Sequence, residues 1–122
     1  MAKAKSKKEC VYMPGMSEAL KKGKVPLPPA VKANGFVFVS GLPPLDTKTG
    51  KLITGDIRKQ TRKSLQNVRD ALKAAGSSMD QVVKVNVYCS NSGYFDTINE
   101  EYRKFFPKDP PARTFVTVGS WP

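Results

Sequence analysis

Histidine is absent from the 122-residue sequence, and cysteine occurs only twice, as Cys10 and Cys89. Without histidine, the Ser–His and Cys–His nucleophile pairs, the His-Glu-x-x-His metalloprotease helix and the histidine-based zinc deaminases are excluded. The two cysteines form no Cys-x-x-Cys pair, which disfavours a disulfide framework or a zinc site. A site without a cofactor, built from Arg, Asn, carboxyl and backbone amide groups, remains possible, and we expect no metal and no cofactor.

Long apolar runs are also missing. No stretch approaches the roughly 20 apolar residues that span a bilayer, and the N-terminus lacks the apolar region of a signal peptide. We expect a cytoplasmic protein with no membrane partner. A chain of this length forms one domain, and such a domain buries only about two-thirds of its unfolded surface. A catalytic pocket is therefore expected to need help from a neighbouring subunit.

Acidic residues are scarce, with 10 Asp and Glu against 21 Lys and Arg and a formal net charge of +11. Seven lysines lie in residues 1–24, which we interpret as a basic flexible N-terminal leader, although residues 11–16 could dock on the core. Residues 25–122 then form a single domain. Because that domain is also basic, an anionic ligand or a nucleic acid is conceivable as its partner.

The strand patterns begin with Asn34-Gly35, which lies between two apolar runs and predicts a β-hairpin with a type I′ turn. The strand that follows, Phe36–Val39, is apolar on both faces, so we expect both faces to be covered. A short strand is predicted at residues 52–54. Two further strands are predicted at residues 82–90 and 113–118.

Two helices are predicted from apolar residues that recur at spacings of three and four. The first covers residues 56–75 and is followed by Gly76, a typical C-terminal cap. The second covers residues 93–106 and is broken by the prolines that follow it. The order β-β-(β)-α-β-α-β indicates an α+β sandwich with both helices on one face of a mixed sheet.

Several segments, in this order, resemble the Rid (RidA/YjgF) family. The first is Phe36-Val37-Phe38-Val39-Ser40-Gly41, followed by a Pro-containing loop and Asp46. The helix at 56–75, the strand at 82–88 and the helix with Asn99 match in turn. The sharpest match is Pro110-Pro111-Ala112-Arg113-Thr114, which resembles the family's Pro-Pro-Ala-Arg-(Ser/Thr) signature. The resemblance covers roughly residues 30–118.

The resemblance implies a chorismate-mutase-like fold and a homotrimer with sites at subunit interfaces. The implied activity is hydrolysis of imines or enamines, such as 2-aminoacrylate and other 2-imino acids, to keto acids and ammonia. Arg113 would be the catalytic residue and would grip the substrate carboxylate through two parallel hydrogen bonds, which Lys cannot reproduce. Asn99, Ser40 and Gly41 would also bind substrate. Their alternatives are structural: an ion pair for Arg113, a local hydrogen bond for Asn99 and a turn for Gly41.

Three departures from the family pattern bear on the substrate. Leu27 replaces a family Tyr and Phe115 replaces a frequent Cys, so the pocket should be more apolar and favour aromatic or longer conjugated substrates of the 2-aminomuconate type. The family also continues beyond the position of Pro122 into a last strand with a Glu that helps to activate water. No residue of this sequence matches that Glu. Either the strand lies outside the 122 residues, which we expect, or the function has changed.

Two other functions stay open. The first is a non-catalytic trimer that binds a small ligand, which would bind carboxylates without releasing ammonia. The second is an RNA-binding or ribonuclease-like translation inhibitor, which the net charge of +11 favours. Nucleic-acid readers usually interleave aromatic and basic residues on one face, whereas most aromatic residues here fall on core stripes. A steep salt dependence of RNA binding would support this second function.

Overall fold

A computed structural model describes residues 7–120 and shows an α+β fold. The strands are β1 (Glu9–Val11), β2 (Ala30–Ala33), β3 (Phe36–Val39), β4 (Lys84–Cys89) and β5 (Ala112–Thr117). The helices are α1 (Met16–Lys22), α2 (Ile57–Ala74) and α3 (Phe95–Phe105). Short 3-10 turns at Met79–Gln81 and Ser92–Tyr94 precede β4 and α3, respectively. No helix within this part of the chain has the length and apolar character needed to cross a membrane.

The β2–β3 hairpin confirms the prediction made from Asn34-Gly35. The two strands are antiparallel, and Ala33 pairs with Phe36 across the turn. Asn34 has a φ of 51° and Gly35 a φ of 82°, as a type I′ turn requires of both central residues. This turn sets the register in which Val37 and Val39 pack against the core.

Helix α2 also begins and ends where its local signals predict. The Asp56 carboxylate accepts hydrogen bonds from the backbone N–H groups of Arg58 and Lys59, at 2.8 and 3.2 Å. Gly76 follows the helix with a φ of 84°, and the N–H of Ser77 donates to the carbonyl of Leu72 at 2.8 Å. The helix thus has an N-cap side chain and a left-handed glycine cap, which satisfy backbone groups that a helix leaves unpaired.

The prediction of a flexible leader over residues 1–24 is wrong for residues 9–22. Strand β1 pairs antiparallel with β2, and α1 follows it. Val11, Met13 and Met16 are buried, and Met16 packs with Leu42 and Ala71. Burial of these apolar side chains offsets the entropy lost when the segment is ordered. Lys3 and Lys5 of the predicted leader lie outside the described residues.

The described strands form two separate sheets and do not form the single mixed sheet that we predicted. One sheet has the antiparallel order β1-β2-β3, and the other is the parallel pair β4-β5. No described segment pairs with both β3 and β4, and the chain between these two strands forms a loop and α2. The strand predicted at residues 52–54 is reduced to an isolated bridge between Leu45 and Leu52.

Helix α2 packs against both α3 and β3. Strand β3 is covered on only one face within a single chain. Phe36 and Phe38, on its other face, are 62% and 60% exposed. Residues 7–120 of one chain therefore do not cover both faces of β3, and the predicted cover of the second face would have to come from another segment or another copy.

Candidate active site

Arg113 lies on β5 beside three aromatic rings. Its guanidinium carbon is 4.7 Å from the ring centroid of Tyr102, 5.3 Å from that of Phe115 and 5.8 Å from that of Phe95. These distances are within the range of cation–π attraction. We call these four residues the Arg113 cluster.

Local geometry explains which rings reach Arg113. Phe95 and Tyr102 are seven residues apart on α3, about two helical turns, so they lie on the same face of the helix. Arg113 and Phe115 alternate on β5 and share a face of that strand. Phe95 and Phe115 meet edge to face, with centroids 4.9 Å apart at 74°. The cluster therefore joins the inner faces of α3 and β5.

None of the ion pairs between described residues includes Arg113. The alternative interpretation of Arg113, a structural arginine paired with a nearby carboxylate, is therefore not what the described residues show. A guanidinium carries five N–H donors in a planar fork that matches a carboxylate. No carboxylate in the described part of the chain forms an ion pair with this fork.

Two further polar groups lie at this site: the hydroxyl of Tyr102 within the cluster and the side-chain amide of Asn99 beside it. The hydroxyl of Tyr102 and the Oδ1 atom of Asn99 are both buried without a hydrogen-bond partner among the described residues. Burial raises the pKa of Tyr102, and the nearby positive charge of Arg113 only partly opposes this effect. The phenol therefore stays neutral at physiological pH. Asn99 lies one turn before Tyr102, so it shares the cluster's side of α3.

Ser40 and Gly41 are not joined to the cluster by any hydrogen bond in the described chain. The Ser40 hydroxyl donates to the carbonyl of Pro28 at 2.6 Å, and the Ser40 N–H donates to the carbonyl of Pro29 at 3.0 Å. A methyl group added at Gly41 would meet nothing within 4 Å. Nothing in residues 7–120 leaves too little space for a side chain at this position, and the substrate-binding roles of both residues stay predictions.

Sequence reasoning missed Glu101, a fully buried carboxylate that connects α2 and α3. It accepts hydrogen bonds from Lys104 Nζ at 2.8 Å, Arg62 Nε at 3.0 Å and Arg58 at 3.5 Å. The hydrogen bond from Lys104, followed by that from Arg62, lowers the pKa of Glu101 despite its burial. One signal was available: Glu101 lies three residues after Ile98, on the apolar stripe of α3. Because its oxygens are engaged by cations, Glu101 is not free to act as a base.

Three other residues singled out from the sequence, Cys10, Cys89 and Leu27, are not part of the Arg113 cluster. Among residues 7–120, no cluster of three or more Cys, Asp or Glu side chains could bind a metal ion. Cys10 and Cys89 are both free thiols. Leu27 lines a separate surface groove of about 420 Å³ beside β1 and α1. Of the two replaced family positions, only Phe115 contacts Arg113.

The structure is that of a small α+β domain in which, within residues 7–120, an arginine without a carboxylate partner lies among aromatic rings. Comparison with known proteins identifies the family. The family model described as Endoribonuclease L-PSP matches residues 18–122. A RutC family protein of Pyrococcus horikoshii is 42% identical over 97 residues, which are 80% of this chain and 77% of the relative. The chain therefore belongs to the Rid (RidA/YjgF) family.

Other family members share the sequence and the fold. The chloroplastic Reactive Intermediate Deaminase A of Arabidopsis thaliana is 38% identical over 97 residues, which are 80% of this chain and 52% of that protein. The crystal structure of the Rid family protein YyfA from Yersinia pestis superposes with a TM-score of 0.85 at 31% identity, covering 95% of this chain and 90% of that one. TdcF of E. coli, solved with bound serine, has a TM-score of 0.75 at 35% identity, covering 80% and 78% of the two chains.

Proposed function

We propose that the protein hydrolyses small imines or enamines that carry a carboxylate, without a cofactor, and releases ammonia. The single observation that carries this proposal is the unpaired guanidinium of Arg113 in the aromatic cluster. Family membership supports it, since a relative of 38% identity is named Reactive Intermediate Deaminase A. The serine bound in TdcF is a small molecule with a carboxylate of the kind that Arg113 would bind here.

The main task of the protein in this reaction is to hold the imine carbon beside a water molecule. An enamine first takes a proton on carbon and becomes an iminium ion, the protonated imine. Water then adds to the imine carbon, a proton passes from the added water to the nitrogen, the C–N bond breaks as the C=O bond forms with loss of the second water proton, and a keto acid and ammonia leave. The imine carbon is already electrophilic, so holding it beside water accounts for much of the rate. Arg113 would hold the carboxylate by two charge-assisted hydrogen bonds and set the position of that carbon.

The remaining predicted residues complete the proposed pocket. Asn99 would line it from α3, beside the cluster. Ser40 and Gly41 would reach it from a neighbouring subunit of a homotrimer, since the hydrogen bonds of Ser40 within the described chain go to Pro28 and Pro29 and not to the cluster. The exposed rings of Phe36 and Phe38 are apolar surface that a second copy would cover.

The substrate is proposed to have an aromatic or extended conjugated side chain, as 2-aminomuconate has. Phe115 contacts Phe95 edge to face beside the guanidinium. A substrate whose carboxylate binds Arg113 would place its side chain near this apolar wall. A methyl group would cover little of it, whereas a planar side chain would cover more.

The test is hydrolysis by the purified full-length protein. Either 2-iminopropionate or 2-aminomuconate is generated enzymatically in the assay, and its loss and the release of ammonia are followed. We expect Arg113→Ala and Arg113→Lys to lower kcat/KM by at least about tenfold, because hydrogen bonds to charged groups contribute about 1.5–3 kcal/mol each. Arg69→Lys is the matched control, since Arg69 also lies over a ring, that of Phe105, but outside the cluster.

Loss of both imines at the spontaneous rate would contradict the enzymatic proposal. If the protein still binds carboxylates in that case, the non-catalytic ligand-binding function replaces it. Oligomeric state is measured separately by light scattering. A monomeric wild type would remove the homotrimer, whereas a trimer that Phe36→Ser with Phe38→Ser dissociates would support it.

A ribonuclease-like or RNA-binding function is the second candidate, favoured by the family model's description as Endoribonuclease L-PSP. Helix α2 carries exposed basic side chains at Lys59, Arg62, Arg69 and Lys73. If these side chains bind phosphates, the affinity for RNA should fall steeply as the salt concentration rises. Removing two of the positive charges should then reduce the slope of log affinity against log salt concentration by about two. An affinity that does not change with salt would exclude this surface.

A further inference from the structure

The centroids of three aromatic rings lie within 5.8 Å of the Arg113 guanidinium carbon, and no carboxylate of the described chain forms an ion pair with it. The nearest ring is that of Tyr102, at 4.7 Å. We propose that Tyr102 is the positioning residue for Arg113: its ring holds the guanidinium in place for the substrate carboxylate, and its hydroxyl takes no part. This inference rests on the proposed role of Arg113 in binding a carboxylate.

An aromatic ring suits this task better than an acidic partner would. A protein carboxylate would occupy the same N–H fork that the substrate needs. A ring attracts the positive charge without forming the paired hydrogen bonds of a carboxylate. It also restricts a long, flexible side chain before the ligand arrives, which reduces the entropy lost on binding.

Tyr102 is the best placed of the three rings to act as a fixed support. It is only 7% exposed, whereas Phe95 is 43% exposed. The ring of Phe106, also 7% exposed, contacts Tyr102 with centroids 4.8 Å apart. Tyr102 is therefore confined by the core and presents a fixed ring to Arg113.

The Tyr102 hydroxyl provides the distinguishing feature of this proposal. It is buried and has no hydrogen-bond partner among the described residues. A tyrosine retained for its hydroxyl would be expected to donate to a neighbouring group, because an unpaired buried hydroxyl is unfavourable. Tyr102→Phe removes only this unpaired group and keeps the ring, so the roles of the ring and the hydroxyl can be measured separately.

The experiment measures binding of pyruvate, a simple 2-keto carboxylate, to the full-length protein by calorimetry. Position 102 is replaced in turn by Phe, by phenylalanines with increasing numbers of ring fluorines, and by Leu. Fluorination weakens the attraction of the ring for a cation while it changes the shape of the side chain only slightly. We expect Tyr102→Phe to retain tight binding and the Kd to rise stepwise with fluorination, by roughly 2- to 30-fold in total. KM for an imine should rise with Kd, whereas kcat should change less.

Ile98→Ala is the matched control for general loosening of α3, because Ile98 is 7% exposed on the same helix and lies outside the cluster. It should lower stability and leave the Kd for pyruvate nearly unchanged. A Kd that does not respond to fluorination, or that rises as much in Ile98→Ala as in Tyr102→Leu, would overturn the proposal. Failure of the wild type to bind pyruvate would overturn it as well. Binding that follows the fluorine series without any imine hydrolysis would support the positioning role and reject the enzymatic one.

Discussion

Replacing Glu101 by Gln removes the charge of the buried carboxylate while it keeps the size of the side chain. Glu101 is fully buried between α2 and α3 and accepts hydrogen bonds from Lys104 at 2.8 Å and Arg62 at 3.0 Å. Arg58 is a third cation, at 3.5 Å. In Glu101→Gln, Lys104 and Arg62 would face each other without the anion that neutralises them, whereas Arg58 would keep its ion pair with Glu100.

The size of the effect follows from the exposure of the partners. Two hydrogen bonds to a charged group would contribute about 1.5–3 kcal/mol each if they were fully buried. The side chains of Arg58, Arg62 and Lys104 are 43%, 45% and 64% exposed, so water screens part of the interaction. The Gln oxygen also still accepts a hydrogen bond. We therefore expect the free energy of unfolding to fall by about 2 kcal/mol.

The assay is urea unfolding of both proteins at one concentration and several pH values. The pKa of Glu101 is lowered from its ordinary value of 4.5 by Lys104 and Arg62. A carboxyl group with a lowered folded-state pKa contributes its full stabilisation above the ordinary pKa, and this contribution is lost as pH falls through the folded pKa. The difference between wild type and Glu101→Gln should therefore be constant near pH 7 and shrink below about pH 4.

Glu100→Gln is the matched control, because the neighbouring Glu100 is 53% exposed and pairs with Arg58 alone, at 2.5 Å. We expect it to change the free energy of unfolding by no more than about 0.5 kcal/mol. Equal effects of the two variants at pH 7 would refute the reasoning. A Glu101→Gln penalty that persists unchanged at low pH would refute it too, since the charge could not then be its source.

Three further substitutions test the cap, the loop and the pocket. Asp56→Ala should lower the free energy of unfolding by about 1 kcal/mol, because the N-terminus of α2 loses its cap; no change in urea unfolding would contradict this. Asn67→Ala should lower the free energy of unfolding by about 2 kcal/mol, because Asn67 Nδ2 donates to the carbonyls of Pro43 and Leu45 in the loop after β3, both at 3.0 Å. Hydrogen exchange in the variant should show this loop opening before the rest of the protein. Phe115→Cys should raise the ratio of kcat/KM for 2-iminopropionate over 2-aminomuconate by about tenfold; an unchanged ratio would remove Phe115 from the specificity wall.

The elements that sequence predicted best are those whose signals are local. Asp56 and Gly76 mark the two ends of α2, and Asn34-Gly35 determines the β2–β3 turn. Each of these signals acts over a few residues, so the rest of the fold does not need to be known. The alternation of Val85 and Val87 on β4 was predictable for the same reason.

The elements that sequence missed depend on distant contacts. Met13 and Met16 lie among lysines and show no long periodic pattern, and their burial follows only from their packing on Leu42 and Ala71. Glu101 is a charged residue of a type usually found on the surface, and its burial follows from the packing of α3 against α2, where Arg62 donates to it. Local patterns therefore gave only partial signals: residues 11–16 could be expected to dock on the core, and Glu101 lies on the apolar stripe of α3, but neither pattern identified the partner.

The candidate site was found only in part. The family resemblance identified Arg113, and helical spacing alone would place Phe95 and Tyr102 on one face of α3. Contact between that face and Arg113 required the docking of α3 against β5, which is a tertiary event. Sequence could not show that the guanidinium lacks an acidic partner, because every described carboxylate had first to be located in space.

The packing of β1 and α1 determines where the protein can be shortened. The family model begins at residue 18, which is inside α1 (Met16–Lys22), so a protein trimmed at that point would lose Met13 and Met16. Gly15 also lies against Thr47, where an added methyl group would be only 2.7 Å from the Thr47 side chain and carbonyl. An affinity tag or a cleavage site therefore belongs before Glu9. A version cut at residue 18 to reduce the basic charge would instead expose apolar core and be prone to aggregation.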